Sequence, residues 1–363
     1  MTNLSQTECA EKEESNEIPS APDLPQTKKN NTKKYIFRAG ISVLTVLLAA
    51  LTALYAVCRT FCFGPSPVAR DKFVDSVHQA SALKFIPRLF FSEEQITEIL
   101  ANSAPEEFKE PQDPGLIVIS PDPPPENEKD IELIDISGPT YKGKLLIVRD
   151  PSRVKVAVSA QQYSSNKPGK KLVDLVNSAG AVAGINGGEF YDYAGRGNGG
   201  TPLGFVFSDG QMLASPGNGK TAMVIGFDRE NRLITGSMTP AQAQAAGIRD
   251  CVSFAPVLVR NGEIAKFSSD AGGLNPRSAI GQRADGTVLL LVIDGRQAHS
   301  LGASYRDLAE IMLEYGAVNA ANLDGGTSSA MIYEGEVITR ISPPGAREIP
   351  TAFVVMPKEA ENS

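Results

Sequence analysis

Residues 39–58 form one unbroken apolar run, and nothing later in the chain matches it in length. Twenty residues at about 1.5 Å each span roughly 30 Å as a helix, the thickness of a bilayer core. Beyond it the apolar positions come in short runs of four to six, separated by Gly, Pro, Asn, Asp and Ser, which is the spacing of strands and turns. Residues 145–148 and 154–158 read as strands around Asp150-Pro151-Ser152. Residues 204–207 and 223–227 read as strands around the hairpin signal Ser208-Asp209-Gly210, and residues 257–259 lead into a second one, Asn261-Gly262. Helical spacing appears at Leu172, Leu175, Val176 and Ala179, closed by Gly180. It appears again at Tyr305, Leu308, Ile311, Met312 and Tyr315, capped by Ser304 with Asp307 three residues on and ended by Gly316. Thr239-Pro240 opens another helix and Gly247 closes it; Ser92 with Gln95 starts one further upstream.

One phrase recurs among the short runs. Residues 288–293 end in Asp294-Gly295-Arg296, and residues 318–323 end in Asp324-Gly325-Gly326-Thr327-Ser328-Ser329, with a helix between them. Residues 181–185 end in Asn186-Gly187-Gly188, the amide version. A βαβ crossover places consecutive strand ends on one edge of a parallel sheet, where ligands bind, so Asp294 and Asp324 are expected to converge. The expected fold class is α/β in the mixed α+β sense: a mixed β-sheet core with hairpins and at least one βαβ crossover, flanked by short helices and preceded by one transmembrane helix.

Charge orients that helix. Lys28, Lys29, Lys33, Lys34 and Arg38 precede the run, and no acidic residue occurs between Asp23 and Asp71. Positive flanks stay in the cytoplasm, so the expectation is a single-pass cell-membrane protein with a cytoplasmic N-terminus and an extracellular domain. A cleaved signal peptide is the rival, disfavoured by the length of the run and by the 38 residues before it. Residues 1–38 read as a disordered tail with a basic flank, 39–63 as the anchor, 64–130 as a helical segment and a stalk, 131–357 as the catalytic domain and 358–363 as a tail. The stalk reading rests on seven Pro and eight acidic residues against two Lys in 101–130.

A composition of 42% hydrophobic and 21% charged residues is that of a globular protein, and a net charge of −7 argues against nucleic acid as partner. Cys9, Cys58, Cys62 and Cys251 are too scattered for an intrachain disulfide framework in the outer domain. With only His78 and His299 in the chain, a His/Cys zinc site is poorly supported.

Three glycine-rich loops carry the candidate chemistry: Asn186-Gly187-Gly188, Asn198-Gly199-Gly200-Thr201, and the stretch from Asp324 through Gly325, Gly326, Thr327 and Ser328 to Ser329. Glycine lets backbone N–H groups converge on an anion, although each loop alone is equally a tight turn. Arg277 and Arg296 are the natural anion clamps, Arg347 a weaker third. Glu189, Asp192, Asp294 and Asp324 could supply the acid and the base or nucleophile of glycoside cleavage, or could hold Ca²⁺ or Mg²⁺. Ser300 and His299 are kept as possible substrate contacts rather than as parts of a triad.

The motifs Ile185-Asn186-Gly187-Gly188-Glu189-Phe190-Tyr191-Asp192, Ala255-Pro256-Val257-Leu258-Val259, Pro276-Arg277-Ser278-Ala279-Ile280-Gly281, Val292-Ile293-Asp294-Gly295-Arg296 and Asn322-Leu323-Asp324-Gly325-Gly326-Thr327-Ser328-Ser329 occur in an order that resembles the phosphodiester glycosidase family. The resemblance spans residues 131–357. It implies hydrolysis of a glycosyl-1-phosphodiester in an envelope glycopolymer, exopolysaccharide or precursor. It carries Asn186, Gly187, Arg277, Asp294, Arg296, Asp324, Gly325, Gly326 and Ser328 over as site positions. Glu189 and Thr327 depart from the family pattern. A non-catalytic phosphoglycan-binding module is the alternative, and the oligomeric state stays open.

Overall fold

The computed structural model describes residues 32–80, 83–102, 108, 112–119, 129–192, 197–267 and 271–358. The tail reading for residues 1–31 and for 359–363 lies outside them. Helix α1 (Thr32–Phe63) contains the apolar run and is the one described helix long and apolar enough to cross a membrane. The described residues from Val57 onward form one compact unit, and the described residues before it belong to another.

Within the larger unit, α2 (Pro67–His78) and α3 (Glu93–Asn102) come first. Ser66 caps α2, and Ser92 and Gln95 make the reciprocal cap of α3 that the sequence predicts. There follow β1 (Ile131–Ser137), β2 (Lys142–Val148), β3 (Val154–Val158), α4 (Leu172–Ser178), β4 (Ala183–Asn186), β5 (Val206–Ser208), β6 (Gln211–Ala214), β7 (Ala222–Asp228) and β8 (Leu233–Met238). The chain continues through α5 (Pro240–Ala245), β9 (Ile248–Val252), β10 (Val257–Arg260), β11 (Glu263–Ile264), β12 (Arg277–Arg283), β13 (Val288–Ile293), α6 (Tyr305–Glu314), β14 (Ala317–Leu323), β15 (Met331–Tyr333), β16 (Glu336–Val337) and β17 (Thr351–Val355).

These strands make three sheets, ordered β1-β2-β13-β12-β14-β10-β11, β16-β15-β4-β17-β3, and β6-β5-β9-β7-β8. One apolar cluster is shared by all three, with Leu290 and Val292 from the first, Ile185 and Phe353 from the second, and Ile225 and Phe227 from the third. Helices cover the outer faces: α6 lies on the first sheet, α4 on the second and α5 on the third. Every residue of β13 is buried, which is why its sequence is continuously apolar rather than alternating.

The mixed α+β class holds, but the pairings within the sheets are antiparallel, so the parallel neighbours expected of the crossover do not form. The crossover itself is present in altered form. β13 and β14 run the same way, joined through α6, but β12 lies between them and is antiparallel to both. A second correction concerns the hairpin at Asp209-Gly210. Both residues have positive φ, as a tight two-residue hairpin requires, but the turn joins β5 to β6, and β7 reaches β5 only through β9.

Segments upstream of β1 lie on the sheets. The Gln112 side-chain amide pairs with the β8 backbone: its Nε2 donates to the Leu233 carbonyl, and its Oε1 accepts from the Thr235 N–H at 2.6 Å. Ile117 is buried, and the Val118 N–H donates to the Ala284 carbonyl at 2.8 Å. These described parts of the stretch read as a stalk are therefore laid along the domain. Ser76 on α2 does the same, its Oγ accepting from the Leu274 N–H at 2.8 Å.

Candidate active site

Three strand termini meet at one seam. β12 begins with Arg277, β14 ends before Asp324, and β4 of the second sheet ends with Asn186. The Asp324 N–H donates to the Gly187 carbonyl at 3.1 Å, and Asn186 Nδ2 donates to the Asp324 carbonyl at 2.6 Å. Asn186 Oδ1 in turn accepts from Ser278 Oγ at 2.6 Å and from the Ala330 N–H at 3.3 Å. A fully buried amide thus ties β4, β12 and the segment after β14 together and fixes where the Asp324 carboxyl stands.

Beside this seam lies a cavity of about 1180 Å³, lined by Glu189, Asp192, Arg277, Arg296, Asp324, Gly325, Gly326, Thr327, Ser328 and Arg347 among the predicted residues. Its walls also contain Phe190, Tyr191, Leu203, Phe254, Tyr305, Pro343 and Pro344, and from the upstream segment Gln79, Ala80, Leu83 and Lys84.

The cationic end is built from Arg277 and Arg296. Arg277 is buried; its guanidinium donates to the Gly272 and Ala303 carbonyls and stands 4.2 Å from the centroid of the Tyr305 ring. Arg296 sits in left-handed backbone with φ of 56°, a conformation that costs a non-glycine residue about 1–3 kcal/mol. Its Nη2 donates to Asn275 Oδ1 at 2.8 Å. Among the described residues neither arginine is ion-paired with a carboxylate. Burial, and then the charge of Arg277, lower Arg296 to about 10. Gly326, with φ of 65°, lets the Arg296 guanidinium lie close: a Cβ there would stand 3.2 Å from Nη1.

The acidic end holds Asp324 and Glu189. Burial raises Asp324 to about 7, against the opposing hydrogen bonds from Ser328 and the Gly325 N–H and the field of Arg347; Glu189 adds a small upward push. Glu189 is exposed toward solvent, yet the desolvation it does suffer raises its carboxyl. Its backbone continues the Ser253 strand edge, and Tyr191 and Leu203 flank it on a short ribbon closed by the Tyr191 N–H to the Thr201 carbonyl at 2.8 Å and the Leu203 N–H to the Glu189 carbonyl at 2.9 Å.

Other predicted residues are at the cavity but already engaged. Asp192 pairs with Arg347 at 2.6 Å, and Arg347 also donates to the Gly197 carbonyl at 2.9 Å over the face of Phe190. Burial pushes Asp192 upward, but Arg347 and the Gly197 N–H hold it below its ordinary value.

Several predicted residues are not among those lining the cavity. The Asp294 carboxylate turns away: Oδ1 accepts from the Arg340 N–H at 2.9 Å, and Oδ2 meets His299 Nε2 at 3.0 Å. Ser300 Oγ donates to the Asp294 carbonyl at 2.6 Å and accepts from the Lys142 N–H at 3.0 Å, so it braces the same loop. Gly187 and Gly188 are packed against Thr351 and Ser253, where a Cβ would collide. Asn198, Gly199 and Gly200 close on the 164–169 loop, with Asn198 Nδ2 donating to the Ser165 carbonyl at 3.0 Å. Ser329 is buried beneath the loop. Among the described residues no three His, Cys, Asp or Glu side chains gather as a group that could hold a metal ion.

Asn275 and Tyr305 are the positions that sequence reasoning missed. Asn275 stands two residues ahead of Arg277, just outside the motif read from the sequence, and its bond to Arg296 joins residues 21 positions apart. Tyr305 read as the first residue of an apolar helix stripe, and nothing local distinguishes a core tyrosine from one lying against a guanidinium.

Taken together, the fold and the cavity define an α+β domain in which Arg277 and Arg296, not ion-paired among the described residues, line the same cavity as the Asp324 and Glu189 carboxyl groups. Residues 179–356 match the family model described as phosphodiester glycosidase. Among curated relatives, it is 43% identical over 74 residues to the SPbeta prophage-derived uncharacterized protein YomE of Bacillus subtilis (strain 168), covering 20% of this chain and 12% of that protein. It is 27% identical over 218 residues to the N-acetylglucosamine-1-phosphodiester alpha-N-acetylglucosaminidase of Mus musculus, covering 54% of this chain and 41% of that protein. The chain thus spans less than half the length of either relative. The solved catalytic domain of the zebrafish N-acetylglucosamine-1-phosphodiester alpha-N-acetylglucosaminidase, auto-inhibited by its pro-peptide, superposes with a TM-score of 0.53 at 21% identity over 64% of this chain and 85% of that one, which establishes a shared fold.

Proposed function

We propose that this chain is a membrane-anchored hydrolase that cleaves a glycosyl-1-phosphodiester, releasing a sugar from a phosphate. The observation that carries the reading is the pair of uncompensated guanidiniums, Arg277 and Arg296, facing the same cavity as Asp324. Leaving two such cations unpaired is costly unless an anion completes the site, and a phosphodiester supplies it. Asp324, balanced near 7, can exchange a proton with the departing oxygen at neutral pH, which an ordinary aspartate cannot do well. Asp192 at the cavity is taken by Arg347, which leaves Glu189 as the carboxyl group available beside Asp324 as base or nucleophile. Asn275 orients Arg296, Tyr305 supports Arg277, and Asp192 holds Arg347 in place.

The apolar length of α1 and the Lys33, Lys34 and Arg38 flank support an N-terminal anchor with the domain outside the cytoplasm. An extracytoplasmic setting favours an envelope glycopolymer, an exopolysaccharide or a precursor as substrate.

The test uses the full chain in detergent with an N-acetylglucosamine-1-phosphodiester, following free sugar by NMR of the anomeric proton. Asp324→Asn is expected to lose about 100-fold or more of kcat, and Arg277→Ala about 100-fold of kcat/KM. Binding of the diester without sugar release by the wild-type chain would sink the hydrolase and leave a binding module.

A further inference from the structure

The segment between α1 and α3 exposes apolar side chains that the domain does not cover. Phe63 is 58% exposed, Leu83 42%, Phe85 57% and Leu89 64%. Large apolar groups exposed together on a water-facing surface are unusual and mark a contact surface. Two observations say what covers this one.

The first is its place in the chain. Phe63 is the last residue of α1, and it packs on Phe90 and Phe91 with ring centroids 6.2 and 5.6 Å apart, while Phe61 stacks on Phe73 at 5.3 Å. The 83–91 segment is therefore fastened to the very end of the apolar helix. If that helix spans a bilayer, these side chains stand where it leaves the hydrocarbon. The second is charge. Residues 57–92 contain five Lys or Arg and two Asp, and Lys84 and Arg88 alternate with Leu83, Phe85 and Leu89, although Arg88 is already paired with Glu93 at 2.8 Å. Basic side chains interleaved with Phe and Leu are the composition of an interfacial segment on an anionic lipid surface.

We infer that the face formed by Phe63, Leu83, Phe85 and Leu89 docks on the lipid bilayer at the foot of α1. The inference rests on the reading of α1 as a membrane anchor and goes beyond it, because an anchored domain need not touch lipid at all. Leu83 and Lys84 also line the cavity, so docking brings the cavity mouth to the level of the lipid headgroups. A sugar phosphodiester presented at the membrane surface is then within reach, whereas one carried far from it is not.

The chain contains no Trp, so Phe85→Trp introduces a sole reporter. The full chain is reconstituted into vesicles of phosphatidylcholine and phosphatidylglycerol, with lipids either plain or brominated in the acyl chain. Docking predicts blue-shifted emission, protection from aqueous acrylamide, and an about twofold loss of emission on brominated lipid, as for a side chain at the headgroup–acyl boundary. Vesicle-bound chain whose emission is quenched by acrylamide and indifferent to bromine overturns docking while leaving the anchor intact. Chain that does not float with the vesicles overturns the anchor, and docking with it. Leu89→Trp repeats the measurement from a second position should Phe85→Trp fail to fold.

Discussion

Asp294 and Asp324 end two strands of the same sheet in the same local phrase, and their fates differ through single neighbours. Asp294 has His299 five residues on and the Arg340 N–H across the loop, and both oxygens are taken. Asp324 keeps Ser328 and the Gly325 N–H, which lower its carboxyl less than burial raises it. The outcome, about 7 against an ordinary 3.8, has a sign that can be checked. Because the folded chain holds this proton more tightly than the unfolded chain, the group favours folding below about pH 4, and the contribution is lost as pH rises to about 7. Asp324→Asn removes that dependence. The variant is expected to gain on the order of 2–4 kcal/mol over the wild type at about pH 8 and little at about pH 4. Urea titrations at the two pH values decide it, and an equal change at both contradicts the assignment. Which aspartate faces the cavity was not legible in the sequence, because the groups that capture Asp294 and the buried amide of Asn186 come from other parts of the chain.

At the scale of elements, local signals were legible and partners were not. The caps predicted at Thr239 and at Ser304 with Asp307 form, Thr239 with Gln242 as its reciprocal partner, and Asn261-Gly262 turns β10 into β11 with φ of 53° and 79°. Each of these is decided within four residues. Sheet order depends on contacts over tens to hundreds of residues, so the strand inserted between β13 and β14 could not be read from the repeated phrase on either side of it. The loop after β13 shows what such an element does for the site. Asp294, His299 and Ser300 hold the stretch that carries Arg296, and the Arg340 N–H and the bond from Gln297 Nε2 to the Arg340 carbonyl at 2.9 Å join it to the stretch leading to Arg347. Asp294→Ala is expected to cost about 1–3 kcal/mol of stability through the donors it strands. It should lower kcat far less than Asp324→Asn does. Thermal unfolding and steady-state kinetics on the one variant check both halves, and a kcat loss equal to that of Asp324→Asn would return Asp294 to the chemistry.

For the whole molecule, the boundary at residue 131 suggested by composition misplaces the working unit. Gln79, Ala80, Leu83 and Lys84 are part of the cavity wall, Gln112 pairs with β8, and Ile117 is buried. Proline and acidic content marked residues 101–130 as a spacer, and that reading failed for 112–119 because a few buried contacts outweigh average composition. A chain beginning at Ile131 is expected to show a raised KM and a lower unfolding temperature than the full chain, and side-by-side kinetics test this. The same wall bears on shedding. A protease that cut between α3 and β1 would free a domain with one side of its cavity missing. On the proposal that α1 anchors the chain in a membrane, release and loss of function would then be a single event, and the proposed activity would stay where the chain is tethered.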